Sequence, residues 1–288
     1  MSKQHITQIT DFFNQAKLPI PEGFKDEDVN IDAPRLFSDT FYLAYLSFMS
    51  RIALHNYTII LSQIARSDIR DYFSKRIIDA IDLYNKSADL RLSKGIFVRV
   101  PIVEISKKIQ YVKSKGFLYD VFGEKRPLLL EEVTQIFGNI FSNIVGKAMA
   151  TGFGQVTRSE RLSDYCFEGS DLANKIITEF TTIFATEDIP FPSASDSFVT
   201  SSTVSPFSDK LILTQMLLLS ATTVSNFSVA MAANLRADLT IVYLKYIAES
   251  MSFTQKGSQL MVENMWFEQP PTVLKHKGLA GFHKQSAK

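Results

Sequence analysis

The sequence predicts an all-α fold made of two tandem helical bundles, with the first copy incomplete at its N-terminal side. Three observations carry this expectation. The 288 residues repeat at an offset of 170, apolar residues within each copy recur at helical spacing, and turn-forming residues gather at the ends of those stretches. Phe37-Ser38-Asp39 returns as Phe207-Ser208-Asp209, Asn56 as Asn226, and Arg66 with Asp68 as Arg236 with Asp238. Without a gap, 14 of the 65 positions from Phe37 to Pro101 match their counterparts. Average composition would give about four. Upstream, Leu18-Pro19-Ile20-Pro21 matches Ile189-Pro190-Phe191-Pro192 with a slip of one residue.

The elements follow in order. A short helix is expected near Ile6–Ala16, ahead of Pro19 and Pro21. Ser38 then suits an N-cap, and Phe41, Tyr45, Phe48 and Ile52 mark one face of a helix from Asp39 to about Arg66. A second helix from Asp68 to Lys94 shows Ile69, Tyr72, Phe73, Ile77 and Ile81 at the same spacing, with Gly95 as its stop. After a connector at 102–126, Pro127 precedes a helix from Leu128 to about Ala150, broken by Gly152 and Gly154. Another helix runs from Gln155 to Phe184, and a segment rich in Pro, Ser and Thr leads to helices near Asp209–Leu235 and Asp238–Asn264. Two helices, a long crossover and two more helices make the ferritin-like order.

The expected organisation is therefore a first, incomplete repeat at 1–101, the connector at 102–126 and a complete repeat at 127–288. By the offset, the first copy lacks one helix and half of the next. Its hairpin must then cover an apolar stripe against the other copy, the connector or a second chain, because soluble monomers seldom expose such a patch. Self-association through the first repeat is one expected outcome.

Composition narrows the function. Thirty-one Lys and Arg against 30 Asp and Glu give a net charge of +1, so nothing advertises a nucleic-acid partner. The single cysteine, Cys166, excludes an intramolecular disulfide framework and multi-cysteine metal sites. The start carries no apolar signal region, and a cytoplasmic location is expected. Leu211 to Ala233 is an uncharged stretch of 23 residues, but eight polar side chains interrupt it. A central bundle helix is expected there rather than a membrane span.

The repeated motifs also carry a family resemblance. Ala33-Pro34-Arg35-Leu36-Phe37-Ser38-Asp39, Arg66-Ser67-Asp68, Leu92-Ser93-Lys94-Gly95 and Gly152-Phe153-Gly154-Gln155-Val156 occur in order with Pro206-Phe207-Ser208-Asp209-Lys210 and Trp266-Phe267-Glu268-Gln269-Pro270-Pro271. The chain resembles the family called domain of unknown function 3231, tandem bundles of spore-forming bacteria grouped with ferritin-like proteins and spore coat protein F. The resemblance implies the fold and a spore setting. It implies no activity and no catalytic residues.

Residue chemistry gives little for catalysis. A di-iron bundle needs Glu-x-x-His pairs aimed inward, and the chain contains none. No catalytic, cofactor or metal residues are expected. His55 reads as a bundle histidine with satisfied hydrogen bonds, Cys166 as a small buried residue, and Gly152-x-Gly154 as a turn between helices. Lys107, Lys108, Lys113 and Lys115 read as a solvated basic stretch. The repeat itself selects the polar positions worth following: Asp39, Asn56, Arg66 and Asp68, with Asp209, Asn226, Arg236 and Asp238. For Arg-x-Asp the expected role is structural, with Asp capping the following helix and Arg anchoring the crossover. Asn56 and Asn226 are expected in a buried hydrogen-bond network. The leading reading is a non-enzymatic structural or interaction protein linked to the spore coat. The alternative is a bundle that binds or converts a small molecule in an apolar pocket between helices.

Overall fold

The computed structural model describes residues 2–102, 107–113, 116–119, 125–192 and 198–273. Its regular elements are α1 (Ser2–Gln15), α2 (Asp39–Leu61), α3 (Ser67–Ser93), α4 (Gly116–Tyr119), α5 (Leu130–Val156), α6 (Glu160–Thr186), α7 (Asp209–Ala233) and α8 (Ala237–Glu263). A 3-10 turn spans Asp26–Asp28. The molecule is all-helical, with two tandem repeat-like halves. One compact unit is Phe24–Leu260, and a smaller one comprises Met1–Gly23 and Met261–Lys288.

The repeat persists at the level of single hydrogen bonds. Adding 170 to the first residues of α2 and α3 gives the first residues of α7 and α8. Ser38 caps α2 by accepting from the Phe41 N–H at 3.2 Å, and Ser208 caps α7 by accepting from Leu211 at 3.1 Å. Beyond α3, Gly95 takes φ +68° and the Ile96 N–H reaches the Arg91 carbonyl at 2.9 Å. Beyond α8, Met265 takes φ +56° and the Trp266 N–H reaches Met261 at 2.9 Å. These are the same left-handed closure. With the one-residue slip, α1 and α6 also end alike, Lys17 at φ +53° and Asp188 at φ +54°.

Inside the larger unit α5, α6, α7 and α8 form a four-helix core. Val133, Ile136 and Ile140 face Ile176, Phe180, Phe184, Phe227, Leu239, Tyr243 and Tyr246. The rings of Phe180, Phe227, Tyr243 and Tyr246 approach one another at 5.4–6.4 Å between centroids. Each fully buried large side chain contributes about 1.5–3 kcal/mol by leaving water. Helix α7 is long and apolar enough to cross a membrane. Here its Ile212, Leu213, Met216 and Phe227 are buried in the unit.

The α2–α3 hairpin closes through the Ser47 and Ser87 hydroxyls at 2.7 Å and lies against α5. Arg51 donates to the Ser142 hydroxyl at 2.6 Å, and the Phe37 ring meets Phe153 edge-on at 6.0 Å. The other copy is therefore what covers its inner stripe. Ile78, Ile81 and Leu92 on α3 stay exposed.

The end of α2 and the α5–α6 junction differ from expectation, with α6 starting at Glu160 rather than Gln155. Helix α2 stops at Leu61, short of Arg66, after a β-branched run, Thr58-Ile59-Ile60, whose threonine hydroxyl bonds back to Leu54 and His55. Helix α5 passes through Gly152 and Gly154 to Val156, so these glycines are not a turn. They permit close packing instead. A Cβ on Gly152 would sit 2.5 Å from the Phe37 ring, and one on Gly154 would sit 3.0 Å from Phe167.

The crossovers that precede α2 and α7 clasp each other. Val29 bridges Phe207, and Phe37 bridges Val199, both antiparallel. Shifting each residue by the repeat offset exchanges one bridge for the other. The hydrogen bonds obey the same exchange. Ser208 N–H to Asp28 O at 2.8 Å mirrors Ser38 N–H to Phe198 O at 3.0 Å, and Asn30 N–H to Pro206 O mirrors Thr200 N–H to Leu36 O. The halves are thus related by a pseudo-twofold axis.

Candidate functional site

Of the repeated polar residues, Arg236 and Asp238 lie at one end of the α5–α8 bundle, and Asn56 and Asn226 lie at the seam between α2 and α7. At the bundle end, Arg236 follows α7 and donates to Asp238 with Nε at 3.0 Å and Nη2 at 2.8 Å. Its Nη1 bonds Glu187, which closes α6, and the Arg126 carbonyl at 3.1 Å. Glu187 in turn accepts from the Leu128 N–H at 2.7 Å. Arg126 grips Glu132 with two bonds of 2.8 Å, and Glu132 also accepts from Leu129 and Leu235 N–H groups. Lys125 completes the group 3.0 Å from Asp238.

The charges within this cluster balance, with Lys125, Arg126 and Arg236 against Glu132, Glu187 and Asp238. Burial alone would raise the Asp238 carboxyl, but Arg236 and Lys125 outweigh it and hold it far below the usual range. Burial opposes the Glu132 carboxylate too, and Arg126 with two backbone N–H groups holds that group low. Arg236 bonds Glu187 at the start of the crossover, while among the described residues the Asp238 carboxylate accepts from Arg236 and Lys125 and does not cap α8 as expected. Asp209 is drawn inward likewise, accepting from Thr157, Arg158 and Ser159 at the start of α6. Sequence reasoning passed over Arg126 and Glu187. Glu132 could have been assigned from its place three residues after Leu129, where a carboxylate closes a capping box.

In the first copy the same residues are open to solvent. Arg66 donates to Asp68 at 3.1 and 2.6 Å with both side chains exposed. Among the described residues Asp39 pairs with Arg35 across one helical turn, likewise exposed.

At the seam, His55 and Ser225 are repeat counterparts that touch, with Ser225 Oγ 3.3 Å from His55 Nε2. They mark the pseudo-twofold axis. Beside them lies a cavity of about 300 Å³ lined by Asn56, Asn226, Gln135 and Asn139. Asn56 is exposed and Asn226 half-buried, so the buried network expected of this pair does not form. The physical reason is that both face the cavity, where water can serve them. His55 is exposed as well, rather than enclosed in a bundle.

A second cavity of about 220 Å³ adjoins the seam between α2, α3 and α5. Arg51 and Arg91 line it with Ser47, Tyr84, Phe97 and Phe141. Arg91 is 6% exposed and stacks between Phe97 and Phe141 at 5.0 and 5.1 Å. Its side chain makes one hydrogen bond, to Ser47 at 3.3 Å, and Arg51 makes one, to Ser142. Neither guanidinium has a carboxylate partner among the described residues. Loss of water pushes the buried Arg91 downward from the usual arginine range, while Arg51 is exposed at the edge of the cavity.

Within the α5–α8 bundle the middle level holds neutral groups. Asn143, Ser220 and Ser250 line a void of about 50 Å³ there. Among the described residues no three of His, Cys, Asp and Glu come together to hold a metal. Cys166 is fully buried, and burial pushes its thiol up to about 12, which leaves it unreactive at neutral pH. Lys107, Lys108 and Lys113 are exposed, and Lys115 lies outside the described residues.

Comparison with known proteins bears on the repeat. A solved Bacillus halodurans protein, provisionally assigned to the spore coat, is similar at 16% identity and a TM-score of 0.49. That similarity covers 52% of this chain and 98% of the other. No curated protein matches. The model of the family described as protein of unknown function (DUF3231) matches twice, at residues 1–109 and 116–279, one match for each half of the chain. With nearly the whole length accounted for by two copies of one family model, the chain belongs to the DUF3231 family.

Proposed function

We propose that this protein is a non-enzymatic scaffold of ferritin-like topology whose work is structural or partner-binding, in the cytoplasm and in association with the spore. The observation that carries this reading is the closed cluster at the bundle end. The repeat-marked Arg236 and Asp238 spend their hydrogen bonds on each other and on the crossover, with their charges balanced inside the cluster. The repeats on this reading are 1–101 and 127–288, joined by 102–126. Exposed Ile78, Ile81 and Leu92 supply a face for a partner or a second copy. The resemblance to spore coat protein F supports the spore setting.

Immunodetection in extracts of purified spore coats, against vegetative cytosol, tests the setting. Recovery in coat extracts supports it, and confinement to vegetative cells overturns it. Light scattering on the full chain tests self-association. A second reading, a bundle that binds a small molecule, is favoured by Arg91, a buried arginine without a carboxylate partner among the described residues, with the exposed Arg51 beside it.

A further inference from the structure

We propose that the cavity between α2, α3 and α5 binds a small carboxylate with an apolar body, its head held by Arg51 and Arg91. The proposal rests on the small-molecule reading and names the ligand class. Burying a cation without an anion is costly, so proteins pair such groups or leave them in water. Arg91 has neither remedy. It is 6% exposed, and its one side-chain partner is the neutral Ser47. Stacking between Phe97 and Phe141 fixes its plane and offsets part of the cost. A stacked guanidinium still presents an N–H edge, and a carboxylate is the shape that edge accepts with two bonds.

Other features of the cavity choose between anions. Arg51 enters from α2, one turn beyond Ser47, and lines the same space as Arg91. Tyr84 lines the same space, and its phenol can donate a third bond. The remaining walls are mostly apolar, with Phe48, Phe97, Val98, Val100, Phe137 and Phe141 beside Thr134 and Gly138. Such walls favour an apolar body over inorganic phosphate, which would leave them wet. A volume of about 220 Å³ equals about seven waters, the scale of a short fatty acid or an aromatic acid. The second copy has no such site. At the positions of Arg51, Tyr84 and Arg91 it carries Ala221, Thr254 and Met261.

Calorimetry and thermal unfolding of the full chain with octanoate, 1-octanol and inorganic phosphate test this. Octanoate should bind and raise the Tm, and Arg91→Met should weaken it by about ten-fold or more, the effect of one lost charge-assisted contact. Without ligand, Arg91→Met should hold or raise the Tm, because an uncompensated charge has gone. Should that variant fail to fold, Arg51→Met at the rim gives the same reading with a smaller loss. Equal binding of octanoate and octanol, or binding of phosphate alone, overturns the carboxylate assignment and leaves the small-molecule reading standing. No binding by any of the three, with Arg91→Met lowering the Tm, overturns both, since Arg91 would then be a packing residue.

Discussion

At the mouth of the α2–α3 hairpin, Arg66 holds Asp68 with two hydrogen bonds, and at the mouth of α7–α8, Arg236 holds Asp238 with two of nearly the same length. The first pair stands in water. The second is joined to Glu187, Lys125 and the Arg126–Glu132 pair. An exposed ion pair exchanges one hydration shell for a screened attraction and gains little. The enclosed pair has little water to fall back on, with Arg236 at 7% and Asp238 at 19% side-chain exposure, so each partner depends more on the other. Identical geometry thus carries different weight, and the surroundings decide it.

The largest effect should come from opening the closed copy. Arg236→Met leaves Glu187 without its cation and Asp238 with Lys125 alone, and breaking a buried pair from one side costs about 3–5 kcal/mol. Urea unfolding against the native chain measures it, and a loss below about 1 kcal/mol would remove the cluster from the list of what holds the bundle. Acid should act on the same cluster. Glu132 and Asp238 are held below their ordinary values, so the stability they give is present at neutral pH. It starts to be lost as pH falls below about 4, where the unfolded carboxylates take protons, and goes on falling until the folded carboxylates are protonated at lower pH. Unfolding followed between about pH 7 and 3 should show this slope, flattened in Arg236→Met.

A smaller loss is expected at the packing contact where the halves meet. Gly152→Ala forces the Phe37 ring aside, for about 1–3 kcal/mol, the usual cost of overpacking. A Tm equal to the native value would mean that the ring moves freely. Smaller still, and opposite in sign, Met265→Gly should stabilise by about 0.5–1 kcal/mol, since it places at α8 the residue that Gly95 supplies after α3. The Met265 side chain is 92% exposed and loses nothing by removal. Smallest of all, Arg66→Met should leave the melting curve in place, and a clear fall would equate the two hairpin mouths after all.

The architecture was largely readable from the chain, because helical periodicity and caps are local signals and Ser38, Gly95 and the repeat offset were all in plain sight. What could not be read was context. Gly152 and Gly154 are breakers by propensity, yet close rings of Phe37 and Phe167 make glycine the residue that fits inside the helix. Asn56 and Asn226 are polar in the middle of helices, but facing a cavity or a core is a property of the partner helix. For the arginines the sequence offered no hint. Arg91 differs from other helical arginines only in that its neighbours in space are Phe97 and Phe141 and no carboxylate.

The clasp between the crossovers has a consequence for how this chain holds together at low abundance. Because Val29 with Phe207 and Phe37 with Val199 exchange under the repeat, each half offers the other what it receives, as subunits of a symmetric dimer do. Two separate halves would find that contact only at sufficient concentration. Tethered in one polypeptide, they meet at the effective concentration set by the tether, in the millimolar range for a short flexible one (about 10⁻³ M). The clasp therefore stays closed however dilute the protein becomes.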